Sequence, residues 1–574
     1  MRKLKVALPE ELSAGVRARV SEWQLAGKIE RLWGRDASLW TGGNEASWLG
    51  WLDIVGQQGS EVESLLEFAR EIQDEEFTDV VVLGMGGSSL CPEVLSQSFG
   101  LQAGYPRLQI LDSTVPAQVL ALQESLDLSS TLFIVSSKSG TTLEPNVFLS
   151  YFLDRVRQEP GVDDAAQHFV AITDPGSALQ MFAEAEGFRR IFFGVPEIGG
   201  RFSALSNFGM VPAAAMGLDL GRWLARAKAM AMACAETGDG TENPGLLLGA
   251  LIGECQRHGR DKMTIVGSPG IRDLGAWLEQ LVAESTGKDG KAVIPVDREE
   301  IGQPDAYGED RLFIYLRLDE SPEPAQDEAI RRLVKAGQPV VQISLADRYD
   351  LAAEFFRWEF ATAVVGSIMG VDPFNQPDVE ASKLASKRLT EAYELSGSLP
   401  SNEPVLTDEE TGILLFADDR NRDALSSRAH GASLTDWLRA HFERLGPGDY
   451  FALLAYLEMN EGNERELQTI RNAVRERYSV ATCRGFGPRF LHSTGQAYKG
   501  GPNSGVFLQV TGDDVEDLPI PGRNYTFGIV KAAQASGDLE VLEERGRRAL
   551  RVHLRGNSAE ALPRLRRLIL EALE

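Results

Sequence analysis

Continuous apolar runs that end in glycine- or hydroxyl-rich loops are the feature that most limits what this chain can fold into. DVVVLGMGG begins at Asp79, and FIVSSKSGTT occupies residues 133–142. Three similar runs lie nearby: RLQILDST, HFVAITDP and RRIFFGV. Runs of this kind, separated by helical stretches, indicate a parallel sheet that is covered on both faces.

The same pattern restarts near residue 262. KMTIVGSP, DRLFIYLRL and PVVQISL are strand-like, and GAWLEQLVAES between them is an amphipathic helix. Further strand and helix patterns follow residue 410, among them DYFALLAYLE, NERELQTIRNAVRERY, YSVATCRGFG, GVFLQVT and a helix near 558–573. With 574 residues, the chain is too long for one ordinary core. The sequence therefore predicts an α/β protein with two doubly wound parallel-sheet units and a C-terminal α/β extension.

The predicted boundaries are an N-terminal helical segment at 1–50, α/β units at 51–235 and 236–400, and the extension at 401–574. The first segment holds several tryptophans, which we expect to pack against the body of the protein. PSNEPVLTDEE, residues 400–410, resembles a linker. The two α/β units resemble a duplication at most in their general order of strands and helices.

Charge and cysteine content exclude several classes of function. The 58 Lys+Arg against 84 Asp+Glu give a net charge of −26, which argues against a nucleic-acid partner. Any anionic ligand must be held by local cations and N–H groups. The four cysteines are scattered, so we expect no disulfide framework and no zinc site, and a reducing cytoplasm fits.

The N-terminus and the longest apolar runs predict no membrane association. MRKLKVALPEELSAG has no uninterrupted apolar core of a signal peptide. No apolar run approaches the roughly 18 residues of a membrane span. We therefore expect a cytoplasmic protein.

The loop GMGGSS, Gly84 to Ser89, follows a predicted strand and precedes a predicted helix. N–H groups at a helix start suit a phosphate or hydroxyl ligand. A tight turn between strand and helix explains the loop equally well. A dinucleotide is disfavoured because Ser89 stands where a third glycine is expected and Asp112 is only a weak candidate for the acidic residue.

The loop after FIV carries five side chains that could bind a phosphate monoester, namely Ser137, Lys138, Ser139, Thr141 and Thr142. Gly140 would allow close backbone approach. The alternative, a helix N-cap, needs one hydroxyl and not five. Because the Walker A spacing is absent, a nucleoside triphosphate is disfavoured.

Two further segments carry single charged candidates. In GGRFSALSNFG, Arg201 could stabilise an oxyanion, although a loop arginine is more often an ion-pair partner. In LVAESTGK, Glu284 ends an apolar helix and could have a raised pKa that suits a base, although most such glutamates are solvated.

Together these segments resemble the glucose-6-phosphate isomerase family. GMGGSS, SKSGTTLE, GGRFSALSNFG and AESTGK are similar to four ordered motifs of that family, and VDPFNQPDVEASK, Val371 to Lys383, is similar to a fifth. SKSGTT also resembles the wider class of sugar-isomerase (SIS) domains, which includes non-catalytic sugar-phosphate sensors. The region after residue 400 resembles the isomerase half of fused transaldolase–phosphoglucose isomerase proteins. The two α/β units are thus expected to be SIS-like.

The resemblance implies roles for individual residues. Glu284 matches the base that moves a proton between C2 and C1, Arg201 the arginine that stabilises the enediolate, and Lys383 a lysine that assists ring opening. Positions that match substrate or phosphate contacts are Gly87, Ser88, Ser137, Lys138, Ser139, Thr142 and Gln376.

The ring-opening histidine departs from the common motif order. No histidine occurs between His258 and His430, where the family order places it. LHSTGQ in the C-terminal region resembles a form of the histidine motif, so His492 is the candidate; the alternative is a structural histidine. Further departures are Gly140, Thr286 and Asn375, which could tune the choice between glucose and mannose phosphates.

The resemblance implies reversible isomerisation of glucose 6-phosphate and fructose 6-phosphate by ring opening and proton transfer, with no metal, nucleotide or redox cofactor. Alternatives are a sugar-phosphate-binding regulator and an isomerase that also accepts mannose 6-phosphate. The implied partner is a small-molecule sugar phosphate. Because family members usually dimerise, a homodimer is one expectation; the alternative is a monomer in which residues 401–574 supply His492 within the same chain.

Overall fold

The computed structural model describes residues 4–238, 240, 242–400 and 403–574. It confirms the predicted α/β class, with parallel-sheet units flanked by helices. The strands are β1 Lys5–Ala7, β2 Asp79–Leu83, β3 Arg107–Leu111, β4 Thr131–Ser136, β5 Phe169–Thr173, β6 Arg190–Phe193, β7 Lys262–Gly267, β8 Ile294–Asp297, β9 Arg311–Leu318, β10 Val340–Leu345, β11 Leu406–Asp408, β12 Ile413–Phe416, β13 Tyr450–Tyr456, β14 Ala481–Phe486, β15 Gly505–Gly512 and β16 Arg548–Leu554.

The α-helices connect and cover these strands. They are α1 Glu10–Leu25, α2 Lys28–Trp33, α3 Ile54–Asp74, α4 Leu90–Phe99, α5 Pro116–Glu124, α6 Leu143–Arg157, α7 Ala178–Glu186, α8 Asn207–Ala215, α9 Leu220–Ala235, α10 Pro244–Arg257, α11 Leu274–Thr286, α12 Pro324–Lys335, α13 Leu351–Met369, α14 Pro377–Ser396, α15 Asp419–Ser426, α16 Leu434–Phe442, α17 Glu461–Tyr478, α18 Gly495–Gly500, α19 Phe527–Glu544 and α20 Ser558–Leu573. No helix in the described part of the chain is long and apolar enough to cross a membrane.

The first sheet has the order β3-β2-β4-β5-β6 and is parallel throughout. Every residue of β2 and β4 is buried, as their unbroken apolar runs predict for central strands. The chain leaves β2 toward β3 on one side and leaves β4 toward β5 on the other. Such a reversal opens a crevice beyond the carboxyl ends of the two neighbouring strands.

The second sheet has the order β1-β10-β9-β7-β8, in which only β1 is antiparallel. Here β7 and β9 are neighbours. The chain leaves β7 toward one edge of the sheet and β9 toward the other edge, as it does from β2 and β4 in the first sheet. The strand order of the first unit is therefore repeated. The sequence pattern did not indicate β1 or β8, which are only 3 and 4 residues long.

The third sheet, order β11-β12-β16-β15-β13-β14, combines four parallel strands with an antiparallel edge formed by β11 and β12. The edge corrects the linker prediction for 400–410: residues 406–408 form β11, and residues 401 and 402 lie outside the described residues. A chain segment that pairs with a neighbouring strand satisfies its backbone groups there, and a polar sequence does not reveal this.

The three sheets share packed cores. The N-terminal tryptophans Trp23 and Trp40 are buried in a cluster with helices of the first two units, as expected. Ala283 of α11 packs in another cluster with Tyr450 and Tyr498 of the C-terminal region. Helix α19 lies along α14. This packing brings α11, α14 and residues 489–492 to the carboxyl end of the first sheet.

Candidate active site

A cavity of about 410 Å³ lies beyond the carboxyl ends of β2 and β4. Nearly all the site residues predicted from the sequence line it, although they lie up to 405 positions apart in the chain. They are Gly87, Ser88, Lys138, Ser139, Thr142, Arg201, Glu284, Gln376, Lys383 and His492. Ser137 is buried at its edge, and its Oγ has no hydrogen-bond partner among the described residues. Thr141 lines an adjoining cavity of about 640 Å³.

Two glycines let the loop after β2 lie directly against its neighbours. A Cβ on Gly87 would stand 2.1 Å from the carbonyl oxygen of Gly200, and one on Gly86 would stand 2.9 Å from Nε2 of Gln280. Gly86 also has a φ of +57°, in the left-handed region. The loop is thus a tight turn, and it also forms one wall of the cavity.

The loop after β4 presents hydroxyls and one ammonium group. Ser139 Oγ and Thr141 Oγ1 are 2.8 Å apart, and Thr141 N donates to Ser139 Oγ at 3.2 Å. Lys138 Nζ pairs with the carboxylate of Asp174, which follows β5, and donates to the carbonyl of Pro196 at 3.1 Å. The lysine is therefore fixed at the cavity wall by the next loop of the sheet.

Arg201 is 2% exposed and joins three segments of the chain. Its Nη1 lies 3.3 Å from Glu284 Oε2 and donates to Gln376 Oε1 at 2.8 Å. Its remaining bonds go from Nε to Ser285 Oγ (2.8 Å) and from Nη2 to the carbonyls of Pro373 (2.7 Å) and Asn375 (2.9 Å). A guanidinium held by this many acceptors has a fixed orientation, unlike a solvated ion-pair partner.

Glu284, near the end of α11, is 4% exposed. Burial raises the pKa of its carboxyl above the ordinary 4.5, although the charges of Arg201, Lys383, His492 and Lys288 oppose that rise. Gln280 Nε2, one turn earlier, lies 3.4 Å from Glu284 Oε2 and donates to the carbonyl of His492 at 2.8 Å. A desolvated carboxylate next to a fixed cation is suited to proton transfer.

His492 reaches the cavity from the C-terminal region of the same chain. Its Nε2 lies 2.8 Å from Oε1 of Glu144, at the start of α6, which also accepts from Gln534 Nε2 at 2.7 Å. Burial alone would raise the pKa of Glu144, but the charge and hydrogen bond of His492 hold that pKa below its ordinary value. The histidine therefore has an ionised partner that orients its ring.

Sequence reasoning missed Glu144, Gln280 and Gln534. Glu144 had a visible signal, because it is the final residue of the SKSGTTLE motif. Gln280 lies four residues before Glu284 and so on the same helix face. Gln534 on α19 had no signal, since its position depends on how the third sheet packs.

Lys383 on α14 is less enclosed than the other candidates. Its side chain is 40% exposed and its Nζ is 3.0 Å from Glu380 Oε1. It lines both the cavity and the adjoining one, together with Ser139, Thr142 and His492. The lysine thus stands where the two cavities meet.

Two residues considered at the sequence level have other contacts. Thr286 is buried, and its Oγ1 donates to the carbonyl of Val282 at 2.7 Å and accepts from Val293 N at 2.9 Å. Asp112 is buried and accepts from Nε of Arg489 at 2.7 Å. Neither residue lines the cavity. Among the residues that the structure describes, no group of His, Cys, Asp and Glu is arranged to hold a metal ion.

Comparison with protein families gives a match to phosphoglucose isomerase over residues 70–300. The glucose-6-phosphate isomerase of Thermus thermophilus is 31% identical over 392 residues, which are 60% of this chain and 91% of that protein. The glucose-6-phosphate isomerase of Lactobacillus delbrueckii subsp. bulgaricus is 30% identical over 383 residues, 58% of this chain and 84% of its own length.

Solved structures agree on the fold. A hypothetical protein of Thermus thermophilus superposes with a TM-score of 0.56 at 27% identity, covering 67% of this chain and 99% of that one. A glucose-6-phosphate isomerase of Chlamydia trachomatis superposes with a TM-score of 0.53 at 22% identity, covering 65% and 78%. On these similarities in sequence and fold, the chain belongs to the glucose-6-phosphate isomerase family.

Proposed function

We propose that this protein interconverts glucose 6-phosphate and fructose 6-phosphate, and that the cavity beyond β2 and β4 is its active site. The observation that carries the proposal is the juxtaposition of Glu284, whose pKa is raised, with the buried Arg201, 3.3 Å away, in the cavity that His492 also lines. A base, an oxyanion stabiliser and an acid–base group are what an aldose–ketose isomerisation needs.

Substrate binding begins at the loop after β4. The hydroxyls of Ser139 and Thr142, with Lys138, supply hydrogen bonds and positive charge for the phosphate. The phosphate is remote from the reacting carbons, so its binding energy can fix the sugar for the chemical steps. The glycine loop after β2 forms another wall of the cavity, where its backbone N–H groups can bind a sugar hydroxyl.

Ring opening requires a proton at the ring oxygen and loss of a proton from the anomeric hydroxyl. We assign these transfers to His492, which Glu144 orients at 2.8 Å, with Lys383 assisting at the wall of the cavity. Because Glu144 stays ionised, its carboxylate can accept the Nε2–H of His492 and hold the ring in position for these transfers.

Proton transfer between the two carbons then falls to Glu284. Its carboxylate takes the proton from the carbon next to the carbonyl and, as the carboxylic acid, returns it to the former carbonyl carbon. The intermediate enediolate carries negative charge on oxygen, which the fixed guanidinium of Arg201 stabilises. The hydroxyl proton on the neighbouring carbon also passes to the former carbonyl oxygen, so all protons balance and the reaction needs no external oxidant or reductant.

The test is conversion of fructose 6-phosphate to glucose 6-phosphate in the presence of EDTA, followed with a coupled dehydrogenase. Turnover by the wild type supports metal-independent isomerisation. A folded protein that binds the sugar phosphate but does not turn it over would instead support a sugar-phosphate-binding regulator. Mannose 6-phosphate in the same assay, with its own coupling enzyme, decides whether the protein also accepts the 2-epimer.

Whether His492 acts in its own chain or in a partner chain can be tested directly. Glu284 and His492 line the same cavity within one chain. We therefore expect that mixing Glu284→Gln and His492→Ala variants restores no activity, even if the protein forms a homodimer. Recovered activity would require a site shared between chains.

Three finer predictions remain proposals alongside the activity. These are a homodimer, a cytoplasmic location, and a C-terminal region that corresponds to the isomerase half of fused transaldolase–phosphoglucose isomerase proteins. The contact of His492 with Glu144 makes residues after 400 part of the site.

A further inference from the structure

A second large cavity, of about 730 Å³, lies at the equivalent end of the second sheet. Residues 265–267 at the end of β7 and residues 297–301 after β8 line it, together with Gln326 and Arg332 of α12, the helix that follows β9. The cavity thus lies beyond the carboxyl ends of β7 and β8, beside the point between β7 and β9 where the chain connections diverge. Open α/β sheets bind ligands beyond the carboxyl ends of their strands.

Several arginines around this cavity have guanidinium groups without a close partner. Arg332 and Arg465 both line it, and within the described residues neither guanidinium makes a hydrogen bond or ion pair. Arg272 approaches a carboxylate, that of Asp273, only at 3.9 Å. Five arginines and five carboxylates line the cavity, so binding of an anion would depend on these three arginines, which lack a close carboxylate partner.

A fourth arginine, Arg484, is only 9% exposed and forms part of the inner wall. Its nearest carboxylate oxygen, on Glu464, is 3.5 Å away. Burial, followed by repulsion from Arg471, lowers the pKa of Arg484 to about 10. An anion bound in the cavity would supply the negative charge that the buried guanidinium of Arg484 lacks.

Most carboxylates that line the cavity are already engaged. Glu299 is fully buried and paired with Arg311, and Glu300 accepts from Asn472 Nδ2 at 2.8 Å. Asp297 lies 3.6 Å from Arg298. Glu461 stands in the first turn of α17, where the helix dipole favours a carboxylate.

One uncharged group also points to a ligand. Oε1 of Gln326 is buried and has no hydrogen-bond partner in the described part of the chain, while Nε2 of the same residue donates to the carbonyl of Gly267 at 3.0 Å. The bond fixes the amide, so the orphaned oxygen can accept from a hydroxyl group. A buried acceptor of this kind is costly unless it is satisfied.

We propose that this second cavity is a binding site for a phosphorylated polyol, whose phosphate contacts Arg332, Arg465 and Arg484 and whose hydroxyl donates to Gln326. The site is separate from the proposed active site, and its residues take no part in the chemistry described above.

The test is a calorimetric titration with glucitol 6-phosphate, an open-chain polyol phosphate that has no carbonyl and cannot be isomerised. We expect two binding sites on the wild-type chain. Arg332→Ala with Arg465→Ala should weaken one of them by about tenfold or more, since each charge-assisted hydrogen bond is strong. Ser139→Ala should weaken only the other.

The matched control is Arg331→Ala, which removes an exposed arginine beside Arg332 that pairs with Glu328 instead. It should retain both sites. Gln326→Leu should weaken glucitol 6-phosphate at the second site but leave binding of inorganic phosphate there unchanged. A single site on the wild type, or a second site that the double arginine variant leaves intact, would overturn the proposal. Turnover of fructose 6-phosphate, measured on the same preparation, tests the proposed function separately.

Discussion

The first and second sheets place equivalent pairs of strands, β2 beside β4 and β7 beside β9, at the point where the chain connections diverge. Beyond the first pair lie glycines, hydroxyls and a buried Glu284–Arg201 pair; beyond β7 and its other neighbour, β8, lie long arginine side chains around a wide cleft. One strand order thus supports two sets of loop chemistry. The difference shows that function here depends on loop residues and not on the sheet.

The charged groups of the two cavities differ in burial as well. Glu284 and His492, which line the first cavity from the second unit and the C-terminal region, are buried. Several of the arginines of the second cavity, such as Arg332 and Arg465, are exposed. Burial desolvates charged groups and strengthens their interactions, whereas exposed arginines mainly attract anions. We therefore expect substitutions in the first cavity to reduce turnover.

The largest effect should come from Glu284→Gln. An amide cannot take up the sugar proton, so kcat should fall by about 10³- to 10⁴-fold. The control is Glu354→Gln, because Glu354 is also buried, and burial raises its pKa to about 7, but it lies on α13 outside the cavity. Kinetic assay of both variants should show loss only for Glu284→Gln; equal losses would mean that Glu284 has no special role.

A second prediction concerns Arg201→Lys. A single ammonium cannot reproduce the bonds to Ser285, Gln376 and the carbonyls of 373 and 375, so the charge opposite the enediolate would lose its fixed position. We expect kcat to fall between about 10²- and 10³-fold. Circular dichroism and the thermal unfolding midpoint check that the fold is retained. A variant with unchanged kcat would remove Arg201 from the mechanism.

Glu144→Gln should have a smaller effect, because His492 keeps a hydrogen-bond partner but loses the negative charge beside its ring. We expect kcat to fall by about 10²-fold, the lower end of what acid–base groups contribute. A variant as active as the wild type would show that ring opening does not depend on this pair.

The same variant has a predicted signature in stability. The pKa of Glu144 lies below 4.5 in the folded protein, so its ionised form stabilises the fold above that pH. This contribution is lost as the pH falls through the lowered pKa. The unfolding midpoint of the wild type should therefore exceed that of Glu144→Gln at pH 7, and the gap should narrow in acid; a gap independent of pH would contradict the charge interaction.

The comparison also shows how far the sequence could predict this molecule. The long apolar runs of β2, β4, β7 and β9 were recognisable, because a strand buried on both faces needs continuous apolar residues. The short strands β1, β8 and β11 were not, since their pairing is decided by distant partners such as β10 for β1. Local patterns do not contain that information.

Within the sites, the residues that stand in motifs could be predicted from the sequence, but the residues that hold them in position could not. Ser139, Arg201 and Glu284 stand in recognisable segments, whereas Gln534 becomes relevant only because α19 packs along α14 and places it 2.7 Å from Glu144. The second cavity had no motif at all. Its arginines come from five separate segments, and only the folded chain shows that they surround one space.

The smallest predicted effect in the first cavity is that of Ser139→Ala. This hydroxyl is one of several groups in the loop after β4, and Thr142 and Lys138 remain available to the phosphate. Removal of one hydrogen bond to a charged group should raise KM by about tenfold and change kcat little, because the reacting carbons lie elsewhere. Steady-state kinetics with fructose 6-phosphate separate the two constants. A fall in kcat at unchanged KM would place Ser139 next to the reacting carbons. The loop after β4 would then take part in the chemical step, whereas the arginine-lined cleft would only bind a phosphate.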